Sequence, residues 1–352
     1  MRIAQVSPLY ERVPPIAYGG TERVVAYLTD ELVERGHEVT LFASGDSITR
    51  AELVPGCERS LRLGGNEDPI AAHVAMIDEV FRRAERGDFD VIHFHTDYLH
   101  FPLLDREPYP ALTTTHGRLD LGDHAPLFRR FAHLRFASIS DAQRAPMSWL
   151  DWIGTVHHGL PIDLHPAGSG GGYLAFLGRL SPEKGCEDAI AIAARAGLPL
   201  AIAGKRDRHD LDYCRERLDP LIAGPGVEFI GEIGGRAKDD FLGGARALLF
   251  PIDWPEPFGL VMIEAMACGT PVIAYRRGSV PEVIDHGVTG FVVDSIDEAV
   301  RAVDRCAHLD RATVRATFEA RFSAARMADD YLALYDQLGS QHGRDLVRHL
   351  AG

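Results

Sequence analysis

Two carboxylates, Glu256 and Glu264, lie in "EPFGLVMIEAMACGTPVI" (256–273) with seven residues between them. The run is apolar nearly all round, as in a helix buried on every side, and a buried carboxylate costs several kcal/mol unless something donates to it. A vicinal diol such as the 2′,3′ pair of a ribose would suit Glu264, because two parallel O–H groups match its two oxygens. A salt bridge to Arg276 or Arg277 would satisfy it equally, and the residues alone leave both readings open. Glu256 stands in "DWPEPFG" (253–259), where two prolines and a glycine fix a tight loop before a helix N-terminus. Such a turn brings exposed amides and a positive dipole end to a polar ligand, with a capping carboxylate as the plainer alternative.

"FLGRLSPEKG" (176–185) reads as a strand end, a loop with Arg179 and Lys184, then a helix. A lysine in a first helical turn opposes the macrodipole by a few tenths of a kcal/mol and becomes favourable beside a bound anion. Arg179 offers a planar fork and Lys184 a compact charge; together they could hold a diphosphate, or form a solvated basic loop. In "YGGTERVV" (18–25), Gly19 and Gly20 would let backbone amides approach a phosphate, although the GxGxxG pattern is absent. His93 and His95 of "HFHTDYLH" (93–100) alternate onto one strand face, but only Asp97 offers a third ligand, so no metal site is expected. "DFD" (88–90) and "DLD" (210–212) match the DxD pattern yet read better as pre-strand and helix-surface acids, respectively. His116, closing "TTTH", is either a ligand contact or a structural strand-end histidine. No GxSxG or catalytic-cysteine context points to hydrolysis.

These residues need a scaffold that presents loops at strand ends. Short apolar or β-branched runs alternate with helical patterns, as in parallel sheets wrapped by helices. "RIAQVS", "EVTLFAS", "DVIHFH", "ALTTTH" and "RFASIS" form a first series, with the helix "TERVVAYLTDELVERG" capped by Thr21 and stopped by Gly36. The pattern resets at "GLPIDLHPAGSGGG" (159–172), which reads as a linker. A second series follows: "YLAFLG", helix "CEDAIAIAARAG", "PLAIAG", "VEFIG", "ALLFP", helix "GLVMIEAMAC", "PVIAY". The fold class is therefore α/β, with two Rossmann-like domains of parallel sheet at 1–162 and 163–325 and a helical segment at 326–352. In that segment Met327, Tyr331, Leu334, Tyr335 and Leu338 form a stripe that must pack on something.

With 46% hydrophobic and 25% charged residues, the 352-residue chain reads as a folded globular protein. Its formal net charge of -14 disfavours nucleic acid as a partner. No apolar run reaches the roughly 20 residues of a membrane span, and "MRIAQVSPL" reads as a first strand rather than a secretory signal, so a cytoplasmic location is expected. "PLFRRFAHLRF" (126–136) could touch a membrane, but a solvated helix face followed by a buried strand explains the same letters. The five cysteines form no CxxC pair and are expected to be free thiols.

"YGGTERVV", "TTTHG", "GRLSPEKG" and "EPFGLVMIEAMACGTPVIA" together resemble the family 4 glycosyltransferases, retaining sugar-nucleotide enzymes of GT-B fold, over nearly the whole chain. Within that family, "YGGTERVVAYLTDELVERGHEVTLFASGDS" is similar to bacterial UDP-glucose transferases of the tetrahydrobiopterin glucosyltransferase type. The resemblance implies an N-terminal acceptor domain and a C-terminal nucleotide-sugar domain facing each other across a cleft, with the last helix crossing back to the first. It implies that Arg179 and Lys184 hold the diphosphate, Glu264 the ribose, and residues 231–233, with Gly231 and Ile233, the base edge. Glu256 and the amides of Phe258 and Gly259 would hold sugar hydroxyls, Gly19 and Gly20 would approach the phosphate, and His116 would reach the sugar. Tyr18, Asp97 and Tyr98 are candidate acceptor contacts. The resemblance further implies retention of configuration by same-face attack. Preorganised positive charge would stabilise the leaving diphosphate, so neither metal nor cofactor is expected. The expected function is transfer of a hexose, glucose from UDP-glucose, to a hydroxyl of a small acceptor. A non-hydrolysing UDP-sugar 2-epimerase of the same fold and a non-catalytic sugar-nucleotide sensor are the alternatives. Acceptor identity and oligomeric state are left unassigned.

Overall fold

Buried apolar strands flanked by amphipathic helices build two separate parallel sheets, seen in a computed structural model that describes all residues except 17–18, 65–67, 107–108 and 352, with backbone alone at 63–64 and 341–351. One unit comprises residues 1–159 together with the chain from Ala324 onward; the other is Leu160–Ser323.

The first unit holds β1 (Arg2–Val6), β2 (Glu38–Ser44), β3 (Glu52–Cys57), β4 (Val91–Phe94), β5 (Ala111–Thr114), β6 (Arg135–Ser138) and β7 (Asp151–Thr155), in the order β3-β2-β1-β4-β5-β6-β7. The helix after β1 runs Gly20–Glu34 and starts earlier than its sequence suggests. Gly19, at φ 133, packs over Pro15 and Glu11 and takes the N-cap position expected for Thr21, without a side-chain cap. Gly36 lies just past the helix end as expected. The final helix, Ala324–Ala351, buries Met327, Tyr331, Tyr335 and Leu338 in this unit and sets Leu334 over Gly154. In 126–136, Phe128, Phe131 and Phe136 are core residues and Arg129 stacks on Trp149, so the aromatics face inward. No helix of the described residues is long and apolar enough to cross a membrane.

The second unit holds β8 (Leu174–Leu177), β9 (Leu200–Ala203), β10 (Val227–Gly231), β11 (Ala247–Phe250), β12 (Val272–Tyr275) and β13 (Gly290–Val293), ordered β10-β9-β8-β11-β12-β13. Residues 160–172 are built into this unit rather than forming a free linker. Leu160 N–H donates to Phe322 O at 2.9 Å, Gly168 N–H to Cys268 O at 2.9 Å and Gly170 N–H to Gly243 O at 3.0 Å. All five cysteines are free thiols, four of them buried.

Candidate functional site

In each sheet the chain starts centrally and then winds to both sides. The point where strand order reverses lies between β8 and β11 in the second unit and between β1 and β4 in the first. Loops leaving the carboxyl ends of parallel strands diverge there and leave a crevice for a ligand. The loops after β8 and β11 are the two that carry Arg179, Lys184 and Glu256.

These loops are pinned to each other. Asp253 N–H donates to Glu183 O at 2.8 Å, and Lys184 Nζ donates to Glu256 Oε2 at 2.6 Å. Trp254 Nε1 donates to the same oxygen at 3.0 Å, with Lys184 Nζ 4.7 Å from the centre of its ring. Gly185, at φ 72, approaches so closely that a Cβ would lie 1.9 Å from Pro251 O. From the other side Gly278, at φ 51, lies against the Glu256 backbone, where a Cβ would meet Glu256 O at 2.2 Å. Ser279 N–H and Oγ–H then hold Glu256 O (3.0 Å) and Phe258 O (2.8 Å). Glu256 is thus fixed with only 9% of its surface exposed. Lys184 ends a short 3-10 turn, Pro182–Lys184, instead of opening the α-helix, which starts at Cys186 behind Gly185. Its charge is met by Glu256. Arg179 is turned onto Glu183, with Nε 3.6 Å from Asp210.

Glu264 sits in the helix Leu260–Ala267, which begins at Gly259. It is 6% exposed and accepts from Lys238 Nζ at 2.7 Å. Neither arginine weighed from sequence reaches it: Arg276 pairs with Asp294 at 3.3 Å and Arg277 with Asp253 at 3.5 Å. Lys238 is a site residue that the sequence reading passes over, because "RAKDD" looks like a solvated charged run. A usable signal was present: Phe241 and Leu242, three and four residues on, mark the inward face that Lys238 shares. Its helix, Gly235–Gly243, directly follows Gly231 and Ile233, so the segment expected at the base edge leads to the partner of the expected ribose carboxylate. His165 Nδ1, bonded to Asp239 Oδ1 at 2.5 Å, closes this corner.

In the first unit Gly19 and Gly20 turn the chain into its first helix after β1. One turn on, Glu22 is buried, and desolvation pushes its carboxyl up to about 7 against the bonds from its own amide and that of Glu11. His116 follows β5; burial pushes its imidazole down to about 3. Its Nε2 is 2.8 Å from His95 Nδ1, and its ring stacks on His158. His93 and His95 do share a face, with ring centres 4.0 Å apart, but hydrogen bonds engage all four of their nitrogens: Tyr335 and Thr114 on His93, His116 and Gln5 on His95. Asp97 is exposed at φ 51 beyond β4, and Tyr98 is half-buried against His124 and Phe128. Tyr18 lies outside the described residues. The DxD aspartates each face an arginine: Asp88 with Arg83, Asp90 with Arg2, Asp210 with Arg179, Asp212 with Arg215. Among the described residues no group of three or more His, Cys, Asp or Glu is arranged to hold a metal ion.

Comparison with known proteins matches residues 18–156 to the model described as Glycosyltransferase Family 4 and residues 165–321 to that described as Glycosyl transferases group 1. The chain is 26% identical to a D-inositol 3-phosphate glycosyltransferase of Mycolicibacterium smegmatis, covering 92% of this chain and 87% of that one. It is 27% identical to a glycogen synthase of Mycobacterium tuberculosis, covering 95% of each. Among solved structures, AviGT4, a glycosyltransferase involved in avilamycin A biosynthesis, superposes with a TM-score of 0.74 at 26% identity, covering 97% of this chain and 98% of that chain.

Proposed function

From a chain that carries a family 4 and a group 1 glycosyltransferase domain, in the GT-B fold, we propose a retaining hexosyltransferase that moves glucose from UDP-glucose to a hydroxyl of a small acceptor. The observation that carries this reading is the pinning of Lys184 and Glu256 side by side at the reversal point of the second sheet, with Glu264 buried one helix away. A cation for a diphosphate and a carboxylate for sugar hydroxyls thus occupy adjacent loops, with a second carboxylate in the helix that follows. Arg179 and Lys184 bind the diphosphate, Glu264 the ribose, residues 231–233 the base edge, and Glu256 with the amides of Phe258 and Gly259 the sugar. His116 and the Gly19–Gly20 turn are substrate contacts in the first unit.

The site is internally neutralised, since each of Arg179, Lys184 and Lys238 holds a carboxylate. A diphosphate that draws Lys184 toward itself releases Glu256 to accept from sugar hydroxyls. As the C1–O bond to the phosphate breaks and the acceptor oxygen bonds C1 from the same face, the acceptor's proton passes to the leaving phosphate oxygen. Lys184 and Arg179 stabilise the charge that grows there, and no divalent ion takes part.

Incubation with UDP-, GDP- and ADP-hexoses labelled in the sugar tests this, with myo-inositol phosphates and tetrahydrobiopterin among the acceptors. The expected result is a product with the donor's anomeric configuration, formed from UDP-glucose. A new sugar isomer without acceptor would reassign the protein as an epimerase, and binding without any turnover as a sensor.

A further inference from the structure

The buried network of the first unit ties the tautomer of His116 to the orientation of the Gln5 amide. Gln5 of β1 is fully buried; its Nε2 donates to the Tyr335 hydroxyl at 3.0 Å and its Oε1 lies 2.9 Å from His95 Nε2. An amide oxygen can only accept, so His95 carries its proton on Nε2. Burial beside His93, His116 and His158 keeps His95 neutral, leaving Nδ1 a bare lone pair. That lone pair faces His116 Nε2 at 2.8 Å, and one proton must lie between them, so it belongs to His116 Nε2. His116 is neutral through its own burial, which leaves its Nδ1 unprotonated. This atom is shielded from solvent and has no hydrogen-bond partner among the described residues. The other branch agrees: Tyr335, having accepted from Gln5, can donate to His93 Nδ1 at 2.7 Å, and His93 Nε2 to Thr114 Oγ1 at 2.7 Å.

We propose that Gln5, oriented by Tyr335 of the final helix, is a positioning residue that acts through His95 to present His116 Nδ1 as a hydrogen-bond acceptor for a substrate hydroxyl. Turning the Gln5 amide over would reverse each bond and make the same atom a donor, suited to a phosphate or ring oxygen instead. The tautomer stands on the orientation of the Gln5 amide; the hydroxyl as its partner rests on the proposed function.

Long-range 1H–15N correlation spectra of the full-length, histidine-labelled protein report ring protonation directly. The expected result at neutral pH is Nε2–H at His116, His95 and His93. Tyr335→Phe removes one oxygen and frees the amide, so it should give mixed tautomers at His95 and His116, while Tyr331→Phe, which leaves Gln5 bonded, should not. A wild-type His116 protonated on Nδ1, or a Tyr335→Phe protein with unchanged tautomers, overturns the proposal. The second measurement is transfer from deoxy and deoxyfluoro donor sugars. Fluorine cannot donate, so at one sugar position the fluoro analogue should lose about tenfold in kcat/KM, as much as the deoxy sugar does, and His116→Ala should erase that difference. Fluoro analogues accepted at every position overturn the acceptor role while the tautomer stands. Absence of transfer from any donor sinks the proposed function, and the hydroxyl assignment with it.

Discussion

Glu264 should exchange Lys238 for the ribose diol when nucleotide arrives, since two parallel O–H groups match both of its oxygens. Glu264→Gln should weaken UDP by roughly 1.5–3 kcal/mol, the range for a hydrogen bond to a charged group. Glu256→Gln should weaken UDP-glucose and leave UDP nearly unchanged; titration calorimetry with both ligands separates the two, and equal losses for UDP would sink the division of labour. Lys238→Met is the control, because it removes the competitor while leaving Glu264 buried. The ligand-free protein should lose on the order of 3 kcal/mol, as when one partner of a buried pair is deleted, yet bind UDP at least as tightly as before. At Lys184, Ala should lower turnover at saturating donor by roughly 100-fold, the scale of one preorganised donor to a developing anion. Arg should rescue only partly, since a planar fork does not replace the compact ammonium that fits between Glu256 and Trp254. Glu22 supplies a different test, in pH. Its carboxyl titrates at about 7 when folded against the ordinary 4.5 of a glutamate, so between those values the native state holds a proton that the unfolded chain has released. Stability therefore falls as pH rises through that window, by up to about 3 kcal/mol. Glu22→Gln cannot ionise, so its melting temperature should exceed that of the wild type at about pH 8, with the advantage vanishing near about pH 5. A constant offset across that range would show that Glu22 does not titrate there.

Elements were legible where one face is strongly apolar and less so at the sheet margins. β1, β2, β4 and β8 are central and almost continuously buried, and their letters read as strands directly. β3 and β7 lie at sheet edges and carry no clear signal, since β3 contains Pro55 and Gly56 and β7 is half-buried throughout; the edge strand β10 was nevertheless legible in "VEFIG", and β13, buried throughout, was passed over. The site motifs were legible because a charge in an apolar or Pro-Gly frame demands a partner. The partners were not, since pairing of Lys238 with Glu264 depends on how two helices pack, which no local pattern encodes. Residues 160–172 show the same limit. Their glycines look like linker, yet Arg311, far along the chain, donates to the carbonyls of Gly168, Gly243, Ala245 and Cys268 and to Thr270 Oγ1. Arg311→Met keeps the length but strips the donors from these groups, and should destabilise the second unit by roughly 3 kcal/mol. Calorimetry should show that unit's transition moving down while the first unit's stays in place. A variant that melts with the wild type would mean that water serves those carbonyls equally well.

At the scale of the whole chain the two units differ in how they are encoded. Net charge is -14, yet each proposed diphosphate-binding cation is paired, so the donor's charge must be met by local rearrangement rather than by a general positive field. Activity should accordingly survive a chelator; loss of transfer with recovery on adding Mg²⁺ or Mn²⁺ would return the role to the aspartates of 210–212. The second unit is one uninterrupted stretch, Leu160–Ser323, with its own sheet and core. The first is completed by the far end of the chain: Tyr331 and Tyr335 bond Thr114, Gln5 and His93 inside it. Cutting after residue 159 would leave those buried groups without the partners the final helix supplies, at a cost of about 1–3 kcal/mol for each group left unsatisfied, besides the apolar surface under Met327 and Leu338. Residues 160–323 alone should therefore unfold cooperatively and bind UDP, whereas 1–159 alone should show no cooperative transition. Joining 324–352 to the 1–159 fragment through a flexible linker should restore one. If 1–159 folds unaided, the final helix is an accessory to the first unit; if 160–323 folds but binds no UDP, the nucleotide contacts assigned to Lys184, Glu264 and residues 231–233 are insufficient by themselves.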